Sequence, residues 1–303
     1  MLTVGLQLSD SVTRMDLRMR LGVLQLDDVR LGFEYREGRG VPLVFMGGVT
    51  STTETWHPVI ERLETDRPIY LVDHRGHGRS SHIASGDYSN WVGQVSDTCA
   101  FLERVSGRSV LVGHSQGGIQ TFYAAGMKPE LVAGLFIEDM SPYFVANGRH
   151  VGNAFIEALT KIGVELRGAL ANDEQGSELA ARIAGVALGG GMTFGDVRPD
   201  EQLQIMADGV LQMDPKIFDN FFSADSVPPY DFSESASAIQ CSIHFAYGAP
   251  ELGGLFVESD LEDLREKGCD VTSTHFEGVG HSVHYDALEL FVEDLASFLE
   301  RVE

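Results

Sequence analysis

The stretch SVLVGHSQGGIQTFYAA, residues 109–125, governs how the rest of the chain is read. Its apolar run Val110 to Val112 suits a buried strand and stops at Gly113. Gly118 to Ala125 then continues with the small and apolar residues of a helix. Between them stands Gly113-His114-Ser115-Gln116-Gly117, a G-x-S-x-G pentapeptide. Strand, sharp turn and helix in this order make a nucleophile elbow, which lifts the central hydroxyl clear of the sheet. The turn strains the serine backbone, and the flanking glycines remove Cβ atoms that would collide where strand and helix meet.

Outward from the elbow, short apolar runs alternate with helical periods. Val29 to Tyr35 alternates and meets the Gly-rich turn EGRG, which predicts a hairpin with Val41 to Met46. Ile69 to Val72 and Leu135 to Ile137 read as further buried strands, and the rhythm returns at Ile243 to Tyr247 and Val271 to Phe276. Such strands separated by helices predict an α/β fold, a mostly parallel central sheet flanked by helices. From Tyr143 to Ser237 the strand rhythm stops. Phe155 to Leu170, Glu178 to Leu188 and Pro199 to Met213 read as helices, with glycines at 189–191 between them. The expected organisation is a core over residues 1–142, a helical cap over 143–237 and the rest of the core over 238–303. Residues 1–28 would be an N-terminal extension and first strand. Leu288, Phe291, Val292, Leu295, Phe298, Leu299 and Val302 share one face of a final helix.

A serine hydroxyl needs a base near neutral pH. His281, in Gly278-Val279-Gly280-His281, follows the last predicted strand and reaches the same sheet edge as the elbow, with His284 as competitor. The base needs a carboxylate to fix its tautomer. Asp139, which ends the strand after the elbow, and Glu251, after the following strand, both qualify. Glu138 should face the other way, because neighbouring strand residues alternate faces. Backbone N–H donors for an oxyanion are expected from Gln116, directly after the serine, and from Val49 in the turn at Gly47-Gly48, where Gly48 lets the backbone approach a substrate.

In this order the motifs resemble the α/β-hydrolase superfamily, in its capped, esterase-like branch, over nearly all of the chain beyond about residue 28. They are the Gly47-Gly48 turn, Asp73-His74-Arg75-Gly76-His77-Gly78-Arg79-Ser80, Ser115, and His281. Two departures stand out. Many relatives carry His-Gly where Gly47-Gly48 stands, so the histidine that buttresses that loop is missing. The usual acid position after the seventh strand reads Gly248-Ala249-Pro250-Glu251, not Gly-x-x-Asp. Some relatives carry the acid after the sixth strand, which favours Asp139, with Glu251 as the alternative. The resemblance implies acyl transfer through an acyl-enzyme on Ser115, with no metal or organic cofactor.

Composition bounds the rest. With 45 Asp and Glu against 22 Lys and Arg, the net charge of −23 disfavours nucleic acid and anionic membranes as partners. Cys99, Cys241 and Cys269 are far apart, with neither a zinc-like nor a disulfide-like spacing. No apolar run approaches ~18 residues, and the first twenty residues lack the order of a signal peptide, so a cytoplasmic protein is expected. Phe155, Met192, Phe194, Met206, Phe218, Phe221 and Phe222 suggest an apolar pocket for a small acyl substrate. A carboxylic ester is the first expectation. Cleavage of a carbon–carbon bond in a diketone-like compound, a thioesterase or cyclase reaction, and a non-catalytic small-molecule binder are the alternatives. Oligomeric state stays open.

Overall fold

A computed structural model describes residues 18–89, 91–189 and 191–302. The N-terminal extension through Leu17 and the middle glycine of the 189–191 run lie outside the described residues. Eight strands form the main sheet: β1 (Arg20–Gln25), β2 (Arg30–Arg36), β3 (Leu43–Met46), β4 (Ile69–Val72), β5 (Ser109–His114), β6 (Val132–Glu138), β7 (Ile243–Tyr247) and β8 (Val271–His275). Their spatial order is β1-β2-β4-β3-β5-β6-β7-β8. All pairings from β4 onward are parallel, while β2 runs antiparallel to both β1 and β4.

The expected hairpin between β2 and β3 does not form. β4 lies between them, pairing antiparallel with β2 and parallel with β3. The burial pattern fits this: β4, IYLV, is nearly all buried and takes an interior place with partners on both edges, as does β3. A tight hairpin would have left one edge to another strand and kept β4 out of the interior. The hairpin partner of β2 is instead β1, joined through Leu26 and Val29.

Helices cover both faces. α1 (Trp91–Phe101) and α2 (Gln116–Met127) pack together, and α2 also lies along β5 and β6. On the opposite face α7 (Leu288–Leu299) buries Phe291, Leu295 and Phe298, with Phe298 against Phe136 of β6. Between β6 and β7 the chain adds no strand to this sheet. It forms α3 (Ala154–Ala171), α4 (Gly176–Ala184), α5 (Asp200–Leu211) and α6 (Phe232–Ala238), with a small antiparallel ladder between Ala187–Gly189 and Met192–Thr193. Leu188, expected at a helix end, lies in that ladder. α6 returns to the sheet layer: Phe232 stacks on Phe122 of α2 at 5.4 Å.

Candidate active site

The turns that carry the predicted site residues all leave the carboxyl ends of parallel strands, and β3, β5 and β6 are immediate neighbours. Ser115, between β5 and α2, has φ 53° and ψ −116°, a conformation that side chains rarely adopt. Close packing holds it there. A Cβ on Gly117 would stand 2.2 Å from the Met46 carbonyl oxygen, and one on Gly113 would stand 2.6 Å from the Gly117 oxygen. Only glycine lets β3, β5 and α2 come this near. The Ser115 side chain lines a hollow together with Gly48, Val49 and His281.

Asp139 follows β6 and is completely buried, with φ 42°. Its Oδ2 lies 2.6 Å from His281 Nδ1. The same carboxylate accepts from the Gly248 amide at 3.0 Å and the Leu255 amide at 2.9 Å. Three donors thus fix its orientation, and His281 Nδ1–H is one of them. Glu251 is exposed on the rim of an adjoining cleft, and among the described residues it makes no bond to His281.

Glu138 does turn away, as strand alternation requires. It is buried beside His284, whose Nδ1–H donates to its Oε1 at 2.7 Å and whose amide donates at 2.9 Å. His284 Nε2 accepts from the Thr55 hydroxyl at 3.1 Å. Burial pushes the Glu138 carboxyl up and the His284 imidazole down. The competitor histidine is therefore committed to a separate, inner network. His114 bridges the two by donating from Nε2 to the His281 carbonyl at 3.0 Å. His114, Glu138 and His284 are also the one group of ligand-type side chains, among the described residues, close enough together to hold a metal ion. The His284–Glu138 bond already occupies two of its three members.

The Gly47-Gly48-Val49 turn is held by histidines the sequence reading left unassigned. His74 Nε2–H donates to the Gly47 oxygen at 2.8 Å, and the Gly117 amide donates to the same oxygen at 3.1 Å. His77 Nε2–H donates to the Val49 oxygen at 2.7 Å. Burial lowers the pKa of both rings, that of His74 to about 3, while His77 Nδ1 also faces the Arg75 oxygen at 3.0 Å. The support expected of a His-Gly pair at the turn thus comes from the loop after β4. That loop is itself anchored by Asp73, which accepts from the Thr53 and Arg79 amides. Among the described residues the Val49 amide donates to no protein acceptor. The Gln116 amide opens α2, where helix geometry leaves the N–H without an intrahelical partner. Gly48 has its own reason for being glycine: a Cβ there would meet His114 Nδ1 at 3.0 Å and Ser115 Cβ at 3.3 Å.

A family model described as the alpha/beta hydrolase fold matches residues 41–152. A carboxylesterase of the thaumarchaeon Nitrososphaera gargenis superposes with a TM-score of 0.72 at 18% identity, over 93% of this chain and 98% of that one. The chain has the α/β-hydrolase fold. An sn-1-specific diacylglycerol lipase of Danio rerio is 28% identical over 158 residues, 50% of this chain and 49% of the lipase. An esterase of Mycobacterium tuberculosis is 26% identical over 279 residues, 88% of this chain and 85% of the esterase. The chain spans about half the length, or less, of the first curated relatives it matches.

Three hollows surround Ser115 and His281. The first holds Ser115 and His281, with Phe155, Phe194 and Met206 above them. It continues through Phe155, Phe194, Arg198 and His281 into an open cleft of about 760 Å³. The third lies on the Val49 and Gln116 side, between Trp91, Phe144, Phe221 and Phe222. Six of the seven apolar side chains expected at a pocket, all but Phe218, line one of these hollows. Phe218 packs against Gly163 of α3 as core. Two polar residues of the hollows escaped the sequence reading. His150, in the third hollow, has neither ring nitrogen partnered. Arg198 lines the first two. A lone His or Arg in a helical segment carries no pattern that marks it.

Proposed function

We propose that the protein is a serine hydrolase that cleaves a carboxylic ester through an acyl-enzyme on Ser115. The observation that carries this reading is the 2.6 Å bond from His281 to Asp139, in a hollow shared with a serine held at positive φ. With Nδ1–H given to Asp139, His281 keeps its Nε2 lone pair free to take the serine proton. Ser115 Oγ attacks the acyl carbonyl, and the oxyanion receives hydrogen bonds from the Val49 and Gln116 amides. His281 returns the proton to the departing alcohol, then activates the water that releases the acid. The buried Asp139 stabilises the imidazolium in both halves of the cycle.

Residues 143–237 act as the cap, with α3 and α5 roofing the hollow; its last helix, α6, serves the core instead. The diacylglycerol lipase and esterase relatives support an acyl substrate with an apolar portion, seated among Trp91, Phe144, Phe221 and Phe222. Among the described residues no helix is long and apolar enough to cross a membrane. The three unpaired cysteines support a cytoplasmic setting. The test is hydrolysis of a panel of p-nitrophenyl esters of increasing chain length. Wild type should turn over at least one of them, and Ser115→Ala should lose about three or more orders of magnitude in kcat. A folded wild type inert on the whole panel, or a Ser115→Ala variant as active as wild type, contradicts the reading.

A further inference from the structure

Arg198 stands at the junction of the two hollows that share His281. Its guanidinium is anchored but not neutralised. Nη2 donates to the Ser282 hydroxyl at 2.8 Å, and Nη1 reaches Gln202 Oε1 at 3.3 Å. Nε is buried without any hydrogen-bond partner. Among the ion pairs of the described residues none includes Arg198. The buried arginine Arg75, by contrast, is matched by both Asp97 and Asp28. Arg36 and Arg67 likewise join none of these ion pairs and each has a buried nitrogen without a partner, but neither lines the hollows around Ser115 and His281, whereas Arg198 does.

A cation taken out of water without a counter-charge is costly, and the cost is recovered when an anion binds. Arginine carries five N–H donors in one plane, and the two anchoring bonds leave others free, Nε–H among them. That fork fits a carboxylate with two parallel bonds. The anchors hold it in place beforehand, and one of them, Ser282, is the residue after His281. A carboxylate bound at Arg198 would therefore lie in the same hollow as Ser115 and next to the base.

We propose that Arg198 is a substrate-carboxylate subsite, so that the preferred substrates are esters that also carry a free carboxylate within reach of the scissile bond. This deepens the serine-hydrolase reading and rests on it for turnover, though not for binding. The apolar hollow beside Gln116 then holds the hydrocarbon part, and the arginine selects for the acid. Nearby carboxylates set the competition: Asp286 at the cleft rim and the buried Glu138 both act on Arg198 through space, without pairing with it.

Two readouts test the proposal. In the first, kcat/KM is measured for mono-4-nitrophenyl glutarate against 4-nitrophenyl butyrate, and for 4-acetoxybenzoate against phenyl acetate. These pairs place the carboxylate on the acyl side and on the leaving-group side respectively. Wild type should prefer the anionic member of at least one pair, and Arg198→Met should lower that preference at least about tenfold, mainly through KM. Arg198→Lys, which keeps the charge but not the fork, should fall between them. The second readout is calorimetric titration of Ser115→Ala with mono-4-nitrophenyl glutarate and with 4-acetoxybenzoate. Binding of at least one should be at least about tenfold weaker in Ser115→Ala/Arg198→Met. Anionic-to-neutral ratios within about twofold of wild type in Arg198→Met, with titrations unaltered by the second substitution, overturn the subsite and leave the serine chemistry standing. A protein that binds an anionic ester through Arg198 yet hydrolyses no ester keeps the subsite and loses the hydrolase reading.

Discussion

Asp139 was the preferred acid and Glu251 the alternative, and their surroundings differ. Asp139 is fully buried and accepts from two amides as well as from His281, whereas Glu251 is exposed. Asp139→Asn should therefore lower ester turnover about 10³- to 10⁴-fold, because the amide can no longer hold the His281 tautomer. Glu251→Gln should stay within about twofold; steady-state kinetics on one ester decides between them. Asp73 offers a prediction about stability. Burial raises its pKa from 3.8 to about 6, so the folded state binds this proton more tightly than the unfolded chain does. Its contribution is then fully present below pH ~4 and is lost as pH rises through ~6, by up to about 3 kcal/mol. Urea unfolding of wild type and Asp73→Asn between pH 4 and 7 should show the wild-type advantage shrinking as pH rises. A constant gap would remove Asp73 as the cause. At this scale Ser115, His281 and Asp139 were legible because chemistry and chain order both constrain them. His74, His77, His150 and Arg198 were not, because their roles depend on which distant carbonyl or hollow the fold brings to them.

Among the elements, the β5–turn–α2 unit depends most on single atoms. Gly117→Ala would place a methyl group 2.2 Å from a backbone oxygen of β3 and 2.8 Å from that of Gly47. Neither atom is the end of a flexible side chain, so the helix must shift. The expected loss is about 3 kcal/mol or more in unfolding free energy, together with activity, since Ser115 and the Val49 turn move apart. Gly185→Ala is the control. Its nearest neighbour is a carbonyl at 3.5 Å and its φ is −80°, so denaturant midpoints should differ little from wild type. The strands themselves were visible in the sequence as apolar runs, yet the partner of β2 was misread. An alternating run followed by EGRG is a sound local hairpin signal. The override came from β4, a largely buried strand that takes the interior place between β2 and β3. Pairing of this kind is a property of the sheet and is not written in any one segment.

For the whole molecule, the mostly parallel sheet and the alternation of strand and helix followed from composition and spacing, because only a covered parallel sheet buries so many short apolar runs, whereas the order of its strands did not. The shape of the hollows did not follow, since it depends on how α3 and α5 sit over the elbow. A charge of −23 is also a whole-molecule property, and it opposes compactness by self-repulsion. Raising NaCl from about 0.02 to 0.3 M should therefore raise the melting temperature by a few degrees in differential scanning calorimetry. An unchanged or lower value would show that local pairs have already absorbed the charge. The fold, the strained turn and the histidine–carboxylate pair all converge on one hydroxyl, and that hydroxyl can be tested directly. Wild type treated with a fluorophosphonate probe should gain one adduct by intact mass, mapped by peptide analysis to Ser115 and absent from Ser115→Ala. A folded wild type that stays unlabelled, or an adduct mapped to any other residue, would contradict the account.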